Sequence, residues 1–191
     1  MKSVVVVGTG IMGAGIAAGF LARSIPVVIL GRNKEKAEAC LDKALTLAKK
    51  IGVDGDYATK DQADIKKQQV VGVLEEYQGW NDCIWVIETI VENLALKQEI
   101  FKYLDRVVPP NIPIGSNSSG FPISKIAEGL NTANRMMGAH YFMPAEVVPL
   151  VEIVMGQKTE IHFAEKACDL YRSIDKKPVL VKKDIPGFLA N

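Results

Sequence analysis

Short apolar runs alternate with longer amphipathic segments along the chain, and this alternation predicts a parallel α/β fold. The first run, residues 4–7, consists of four valines, as expected of a strand that is covered on both faces. A glycine-rich turn, an apolar helical segment and a second Val/Ile run at 27–30 complete a βαβ unit. Further strands are predicted at the apolar runs 70–73, 83–87, 112–114, 136–142, 150–154 and 178–181.

Helices are predicted between these runs. Asn33 has the residue type of an N-cap, and the helix after it is expected to end at Gly52, just beyond two basic residues. A second amphipathic helix over 94–108 stops at a pair of prolines. Thr159 is expected to cap a third helix that ends at Ser173. The polar segment 54–69 is predicted to lie on the surface and to contain some helix. It is either a solvent-exposed insertion without a specific role or a place for substrate recognition.

The composition narrows the class of protein. The 191 residues are 48% hydrophobic, which predicts one sizeable core and excludes disordered and fibrous proteins. With 23 basic and 22 acidic residues, no overall field favours nucleic acid or an anionic membrane as a partner. The three cysteines lack metal-site spacing, so we expect reduced thiols, no metal and a cytoplasmic location.

The first strand runs directly into Gly8-x-Gly10-x-x-Gly13. In a strand–turn–helix context these glycines give a tight turn, close backbone approach to a pyrophosphate, and close packing of the helix on the strand. The helix start supplies unbonded N–H groups for phosphate oxygens. The motif therefore predicts dinucleotide binding by Gly8, Gly10, Gly13 and the intervening Ile11 and Met12.

The chain has two histidines, His140 and His162. His140 lies near the end of a predicted strand, and Glu152 is the one charge within the next apolar strand. Because an unpaired buried charge is expensive, we expect the two to pair. Glu152 would then fix the imidazole tautomer and stabilise the imidazolium, either as an acid–base dyad or as a purely structural pair. His162 is interpreted as a surface or capping residue.

Five segments stand in a characteristic order: GTGIMGAGIA, VIETIVENLALKQEIF, SNSSGFPIS, GAHYFMPAEVVPLVEIV and KKDIPGFLAN. Together they resemble the NAD-binding domain of the 3-hydroxyacyl-CoA dehydrogenase family over nearly the whole chain. The resemblance implies a Rossmann-type, doubly wound, mostly parallel sheet over residues 1–185. Residues 186–191 would begin the connection to the family's all-helical C-terminal domain, which is absent from this chain, so the chain is expected to be a piece of a longer protein.

The resemblance also implies roles for individual residues. His140 and Glu152 match the family's catalytic dyad, and Ser119 and Asn191 match residues that hydrogen-bond the reacting oxygen. Glu92, Lys97 and Asn117 match positions near the cofactor. The implied reaction is hydride transfer between a nicotinamide and a 3-hydroxyacyl-CoA/3-ketoacyl-CoA pair, and the implied assembly is a homodimer formed through the helical domain.

Gly31 and Arg32 depart from the family pattern, in which an acidic residue ends the second strand and accepts from the ribose 2′-hydroxyl. Loss of the carboxylate removes repulsion against a 2′-phosphate, and a neighbouring arginine supplies a charged partner for one. We therefore expect NADP to be favoured, with NAD as the family default. The alternative is that Arg32 only faces solvent.

Met143 and Gly120 replace a family Asn and Ser near the chemistry. These departures leave open a dehydrogenase of a small, non-CoA hydroxy acid on the same scaffold, and also a non-catalytic, crystallin-like dinucleotide-binding protein. Lys49 and Lys50 are candidates for binding the phosphates of coenzyme A, although basic residues at a helix end are explained equally well by the helix dipole.

Overall fold

The computed structural model of the protein describes residues 1–187 and residue 189. Within this part of the chain, eight strands form one sheet in the order β3-β2-β1-β4-β5-β6-β7-β8. Neighbouring strands are parallel except for the antiparallel pair β6 and β7. The strands are β1 (Ser3–Val7), β2 (Val27–Gly31), β3 (Val70–Val73), β4 (Cys83–Glu88), β5 (Ile114–Ser116), β6 (Met136–Tyr141), β7 (Leu150–Met155) and β8 (Lys177–Val181).

Helices cover both faces of the sheet, and the core lies in two layers. The helices are α1 (Ile11–Leu21), α2 (Lys34–Ile51), α3 (Gln62–Lys67), α4 (Leu94–Val107), α5 (Ile123–Ile126) and α6 (Ile161–Ser173). Side chains of α1, α2 and α6 pack in one layer, and those of α4 and α5 pack in the other. Val4 and Val6 join the first layer while Val5 and Val7 join the second, which is why β1 must be apolar at every position. The predicted doubly wound fold is confirmed.

Most predicted elements agree with the structure. Asn33 caps α2 by accepting a hydrogen bond from the Lys36 amide at 2.9 Å. The helix ends at Ile51, and Gly52 follows with a φ of 91°. The excursion after it contains a short 3₁₀ turn at Gly55–Tyr57 and then α3.

Several predicted boundaries differ from the observed ones by one or two residues, and one predicted helix cap was wrong. β5 begins at Ile114, because Ile112 belongs to a turn that donates to the Pro109 carbonyl. β6 ends at Tyr141, one residue before its predicted end. Thr159 does not cap α6: it is buried, and its hydroxyl donates to the Met136 carbonyl and accepts from the Gly156 amide.

A buried charge network joins the elements at the carboxyl edge of the sheet. Glu88 ends β4 with 0% exposure, and Lys97 reaches it from α4 with 1% exposure. One carboxylate oxygen accepts from Lys97 Nζ at 2.8 Å and from the Ile90 amide at 2.6 Å. The other accepts from Ser116 Oγ at 2.6 Å, and the Glu88 carbonyl accepts from the Asn117 amide at 2.8 Å. The buried charge thus ties β4 to α4 and to the end of β5.

The turn between β1 and α1 depends on backbone contacts that leave no room for side chains. Gly8 has a φ of 127°, and a Cβ there would lie 2.7 Å from the Thr89 carbonyl oxygen. A Cβ on Gly13 would lie 2.3 Å from the Gly8 carbonyl oxygen. A Cβ on Gly10, in contrast, would meet nothing within 4 Å. Gly8 and Gly13 therefore set the turn, while Gly10 leaves open space above it.

Gly13→Ala is expected to lower the free energy of unfolding by about 3 kcal/mol, because its Cβ meets backbone that cannot move aside. Gly10→Ala is the matched control, with an expected loss below about 1 kcal/mol from its effect on the helix N-cap. Urea unfolding of the two variants measures the difference. Equal losses would show that the backbone approach at Gly13 is not the constraint.

Lys97→Met is expected to cost about 3–5 kcal/mol of unfolding free energy, because it leaves the Glu88 carboxylate buried without its cation. Adding Glu88→Gln should recover much of this loss, since the remaining side chain carries no charge. Lys67→Met, which breaks the exposed Lys67–Asp64 pair, serves as the control and should leave stability nearly unchanged. A Lys97 effect no larger than that of Lys67 would contradict the assigned role of the network.

Candidate active site

A cleft opens above the carboxyl ends of β1, β2 and β4, with a volume of about 250 Å³. Its floor includes Gly8 and Gly10. The first bond within α1 runs from the Ala14 amide to the Gly10 carbonyl, so the N–H groups of residues 11–13 are not used inside the helix. The open space above Gly10 and these amides fit the pyrophosphate of a dinucleotide. The predicted residues Gly8, Gly10, Ile11, Met12 and Gly13 are therefore brought together at one place.

The rest of the cleft has an apolar part and a charged part. Leu74, Leu96 and Ile100 supply apolar walls that suit an adenine ring. Arg32 and Lys36 also line the cleft, and both are exposed. Gly31 and Arg32 thus line the same cleft as the glycine turn, and their contact with a cofactor stays a prediction.

Glu92 lies beside this cleft and holds the loop that follows β5. One of its oxygens accepts from Ser118 Oγ at 2.5 Å and from the Gly120 amide at 3.0 Å, and the other lies 3.3 Å from Lys97 Nζ. Partial burial favours a higher pKa for Glu92, but these hydrogen bonds and the Lys97 charge outweigh it, and the pKa lies below its ordinary value. Lys97 therefore bridges the Glu88 and Glu92 carboxylates and supports the loop from beneath.

The loop after β5 carries Asn117 and Ser119. The Asn117 amide donates to β4, and its Oδ1 accepts from the Tyr141 amide at 2.9 Å, so Asn117 links the ends of β4 and β6. Ser118 is buried, whereas Ser119 is exposed. Of these two loop serines, Ser119 is the one accessible from the carboxyl edge of the sheet.

His140 and Glu152 face each other across the antiparallel pair β6 and β7. His140 Nδ1 lies 2.8 Å from Glu152 Oε2, and the two residues are 5% and 2% exposed. A carboxylate can only accept a hydrogen bond, so Nδ1 carries the proton and Nε2 is the nitrogen able to accept one. The ring also contacts Phe142, with ring centroids 4.7 Å apart. The predicted pairing is confirmed, and it gives an imidazole suited to proton transfer.

The second oxygen of Glu152 holds the chain that follows β8. Oε1 accepts from the Leu189 amide at 3.0 Å. Nearer to β8, the Asp184 carboxylate accepts from the amides of Ile123 and Ser124 at 2.9 and 2.8 Å. Asn191, which the resemblance assigns to the reacting oxygen, lies outside the described residues.

Sequence reasoning missed three supporting residues. Glu88 and Asp184 stand inside the segments that carry the family resemblance, so those segments could have directed attention to them. Lys176 gave no such signal. It is buried and donates to the carbonyls of Ala145 and Val148 at 2.6 and 2.7 Å, which fixes the loop between β6 and β7. Burial lowers the pKa of Lys176 to about 8.

Several predicted residues are not brought to this site. Lys49 and Lys50 lie in the last turn of α2, which runs away from the carboxyl edge where it begins, so their binding of coenzyme A stays a prediction. Met143 is exposed beyond β6.

Residues 1–187 and 189 contain no cluster of three metal-ligating side chains. No helix formed by the described residues has the length and apolar character to cross a membrane.

Comparison with known proteins gives related sequences over the whole chain. The family described as "3-hydroxyacyl-CoA dehydrogenase, NAD binding domain" matches residues 3–185. The chain is 36% identical to the peroxisomal fatty acid beta-oxidation multifunctional protein AIM1 of Arabidopsis thaliana, covering 100% of this chain and 26% of that protein. It is 33% identical to L-carnitine dehydrogenase of Oceanobacillus iheyensis, covering 100% of this chain and 61% of that protein.

A solved structure shows the same family relationship. The crystal structure of (S)-3-hydroxybutyryl-CoA dehydrogenase PaaH1 from Ralstonia eutropha superimposes with a TM-score of 0.87 and 30% identity, covering 99% of this chain and 66% of that one. The chain thus spans about a quarter of the multifunctional relative and about two thirds of the shorter dehydrogenases. With the match over residues 3–185, the chain belongs to the 3-hydroxyacyl-CoA dehydrogenase family and comprises its NAD-binding domain.

Proposed function

We propose that the protein is an oxidoreductase that interconverts the 3-hydroxyl and 3-keto groups of an acyl-CoA with a nicotinamide dinucleotide. One observation carries the proposal: the buried His140–Glu152 pair lies at the same sheet edge as a cleft suited to a dinucleotide. A pair with only a structural role would not need to stand at that edge. This argues against a non-catalytic, crystallin-like protein.

The proposed mechanism assigns proton transfer to His140. Nε2 takes the hydroxyl proton in the oxidative direction and returns it in the reductive direction. Glu152 keeps Nδ1 protonated and stabilises the imidazolium that forms. Ser119 and Asn191 are proposed to hydrogen-bond the reacting oxygen. The bound nicotinamide supplies the hydride acceptor or donor.

A small hydroxy acid without coenzyme A is the second candidate substrate. It is supported by Met143, an exposed thioether where the resemblance expects an amide, and by the similarity to a protein named L-carnitine dehydrogenase. Substrate screening of the full-length protein with acetoacetyl-CoA, small keto acids and 3-dehydrocarnitine distinguishes the two candidates.

We also propose that NADP is preferred over NAD. The cleft presents Arg32 and Lys36, and none of its described lining residues is acidic. Two cations in a lining that contains no carboxylate suit a 2′-phosphate better than a ribose 2′-hydroxyl.

A homodimer formed through a helical C-terminal domain and a cytoplasmic location also remain proposals. The three buried free cysteines are consistent with a reducing compartment. Size-exclusion chromatography with light scattering on the full-length protein tests the assembly.

His140→Ala in the full-length protein is expected to lower kcat about 100- to 10,000-fold, because the proton acceptor is lost. The Kd for the reduced cofactor, measured by fluorescence, should change little. His162→Ala is the matched control, since this exposed histidine contacts only its neighbours Glu160 and Phe163 among the described residues and should keep full activity. An active His140→Ala variant would refute the proposed mechanism.

Arg32→Ala is expected to weaken NADPH binding roughly tenfold or more while leaving NADH binding nearly unchanged, because only the phosphorylated cofactor carries the group that Arg32 would meet. Lys34→Ala removes a nearby exposed cation that does not line the cleft, and should affect neither cofactor. Isothermal titration with both cofactors measures the effect. A wild-type preference for NADH that Arg32→Ala leaves intact would contradict the proposal.

A further inference from the structure

The contact between Thr9 and Gly31 carries a further inference about the cofactor cleft. Thr9 stands between the first two glycines of the turn after β1, and Gly31 ends β2. A Cβ on Gly31 would lie 2.6 Å from Thr9 Cγ2, but 3.6 Å from Thr9 Oγ1 and 3.5 Å from the Asn33 carbonyl oxygen. The methyl group of Thr9 is therefore the atom that would have to move before position 31 could hold a side chain.

The backbone itself does not require glycine at position 31. Gly31 pairs with Val73 in the parallel ladder between β2 and β3, and it is absent from the residues with positive φ. Any residue could adopt this extended conformation. Glycine is required only while Thr9 holds its methyl group above it, so the two positions are coupled.

The charges around this contact define what the cleft can bind. Arg32 and Lys36 are the charged residues among its described lining, and neither is ion-paired within the described chain. Lys36 lies in the first turn of α2, shortly after Arg32 in the sequence, with the exposed Glu35 as its acidic neighbour. Two unpaired cations next to Gly31, which has no side chain, suit a dianionic phosphate.

We propose that Thr9, Gly31, Arg32 and Lys36 form a subsite for the 2′-phosphate of the dinucleotide, in which Thr9 determines specificity. The Thr9 methyl group excludes the acidic side chain that would bind a ribose 2′-hydroxyl and repel a phosphate. Lys36 supplies the second positive charge. The inference rests on the proposed preference for NADP and adds the residues that create it.

The coupling between Thr9 and Gly31 is tested first, without any cofactor. Gly31→Ala adds only the Cβ and should lower Tm by several degrees. Thr9→Ser removes only the methyl group and should shift Tm little. The Thr9→Ser/Gly31→Ala double variant should regain most of the loss. Additive effects in this cycle, or a Gly31→Ala variant as stable as wild type, would overturn the role of Thr9.

Specificity is tested by titrating the full-length protein with adenosine 2′,5′-bisphosphate and adenosine 5′-monophosphate. The wild type should bind the bisphosphate at least roughly tenfold more tightly, and Lys36→Ala should weaken the bisphosphate alone by roughly tenfold. Lys34→Ala should weaken neither ligand. The Thr9→Ser/Gly31→Asp double variant should instead bind adenosine 5′-monophosphate more tightly than the bisphosphate. The same variant should bind NADH more tightly than NADPH.

The outcomes separate the subsite from the broader NADP proposal. If the wild type binds the two nucleotides equally, the preference for NADP fails and the phosphate subsite fails with it, whatever the Tm cycle shows. If the wild type prefers the bisphosphate but Gly31→Asp alone reverses that preference, NADP recognition stands and Thr9 is not its determinant. If Lys36→Ala weakens both ligands equally, Lys36 does not contact the 2′-phosphate.

Discussion

The carboxylate of Glu88 is the constraint on which the carboxyl edge of the sheet depends. A buried charge is tolerated only when its hydrogen bonds and its counter-ion are all in place. Here they come from α4, from the end of β5 and from the chain after β4. Lys97, which compensates this charge, also meets Glu92, and Glu92 in turn holds the loop that contains Ser119. One desolvated charge therefore requires the carboxyl edge of the sheet and the loop after β5 to assemble together.

The glycine turn adds a steric constraint to this electrostatic one. Gly8 packs against the Thr89 carbonyl, and Thr89 directly follows Glu88, so the turn after β1 is seated on the strand end that the charge network fixes. The same turn places Thr9 over Gly31 at the end of β2. Close contacts at Gly8 and Gly31 thus hold the carboxyl ends of β1, β2 and β4 next to one another. The shape of the cleft between them depends largely on these glycines, which carry no side chain.

The sequence predicts features that arise from local patterns or from a simple charge argument. The valine run of β1 and the Asn33 cap are of this kind, and so is the pairing of His140 with the one charge of β7; the doubly wound sheet came from the family resemblance. Buried cations that bind backbone carbonyls could not be foreseen. Arg135 is fully buried and donates to the carbonyls of Val108 and Ile112, as Lys176 does to its own loop. Their partners are backbone carbonyl groups of residues distant in sequence. Because every residue has such a carbonyl, the sequence does not indicate which ones will bind a buried cation.

The antiparallel pairing of β7 with β6 explains why His140 and Glu152 meet across these two strands. In an antiparallel pair, directly opposed residues bring their side chains close on one face, and the register places His140 opposite Glu152. Lys176 fixes the connecting loop and thereby the register. Because the second oxygen of Glu152 also accepts from the Leu189 amide, the orientation of the imidazole is coupled to the position of the chain after β8. A single carboxylate therefore links the His140 imidazole to the chain that follows β8.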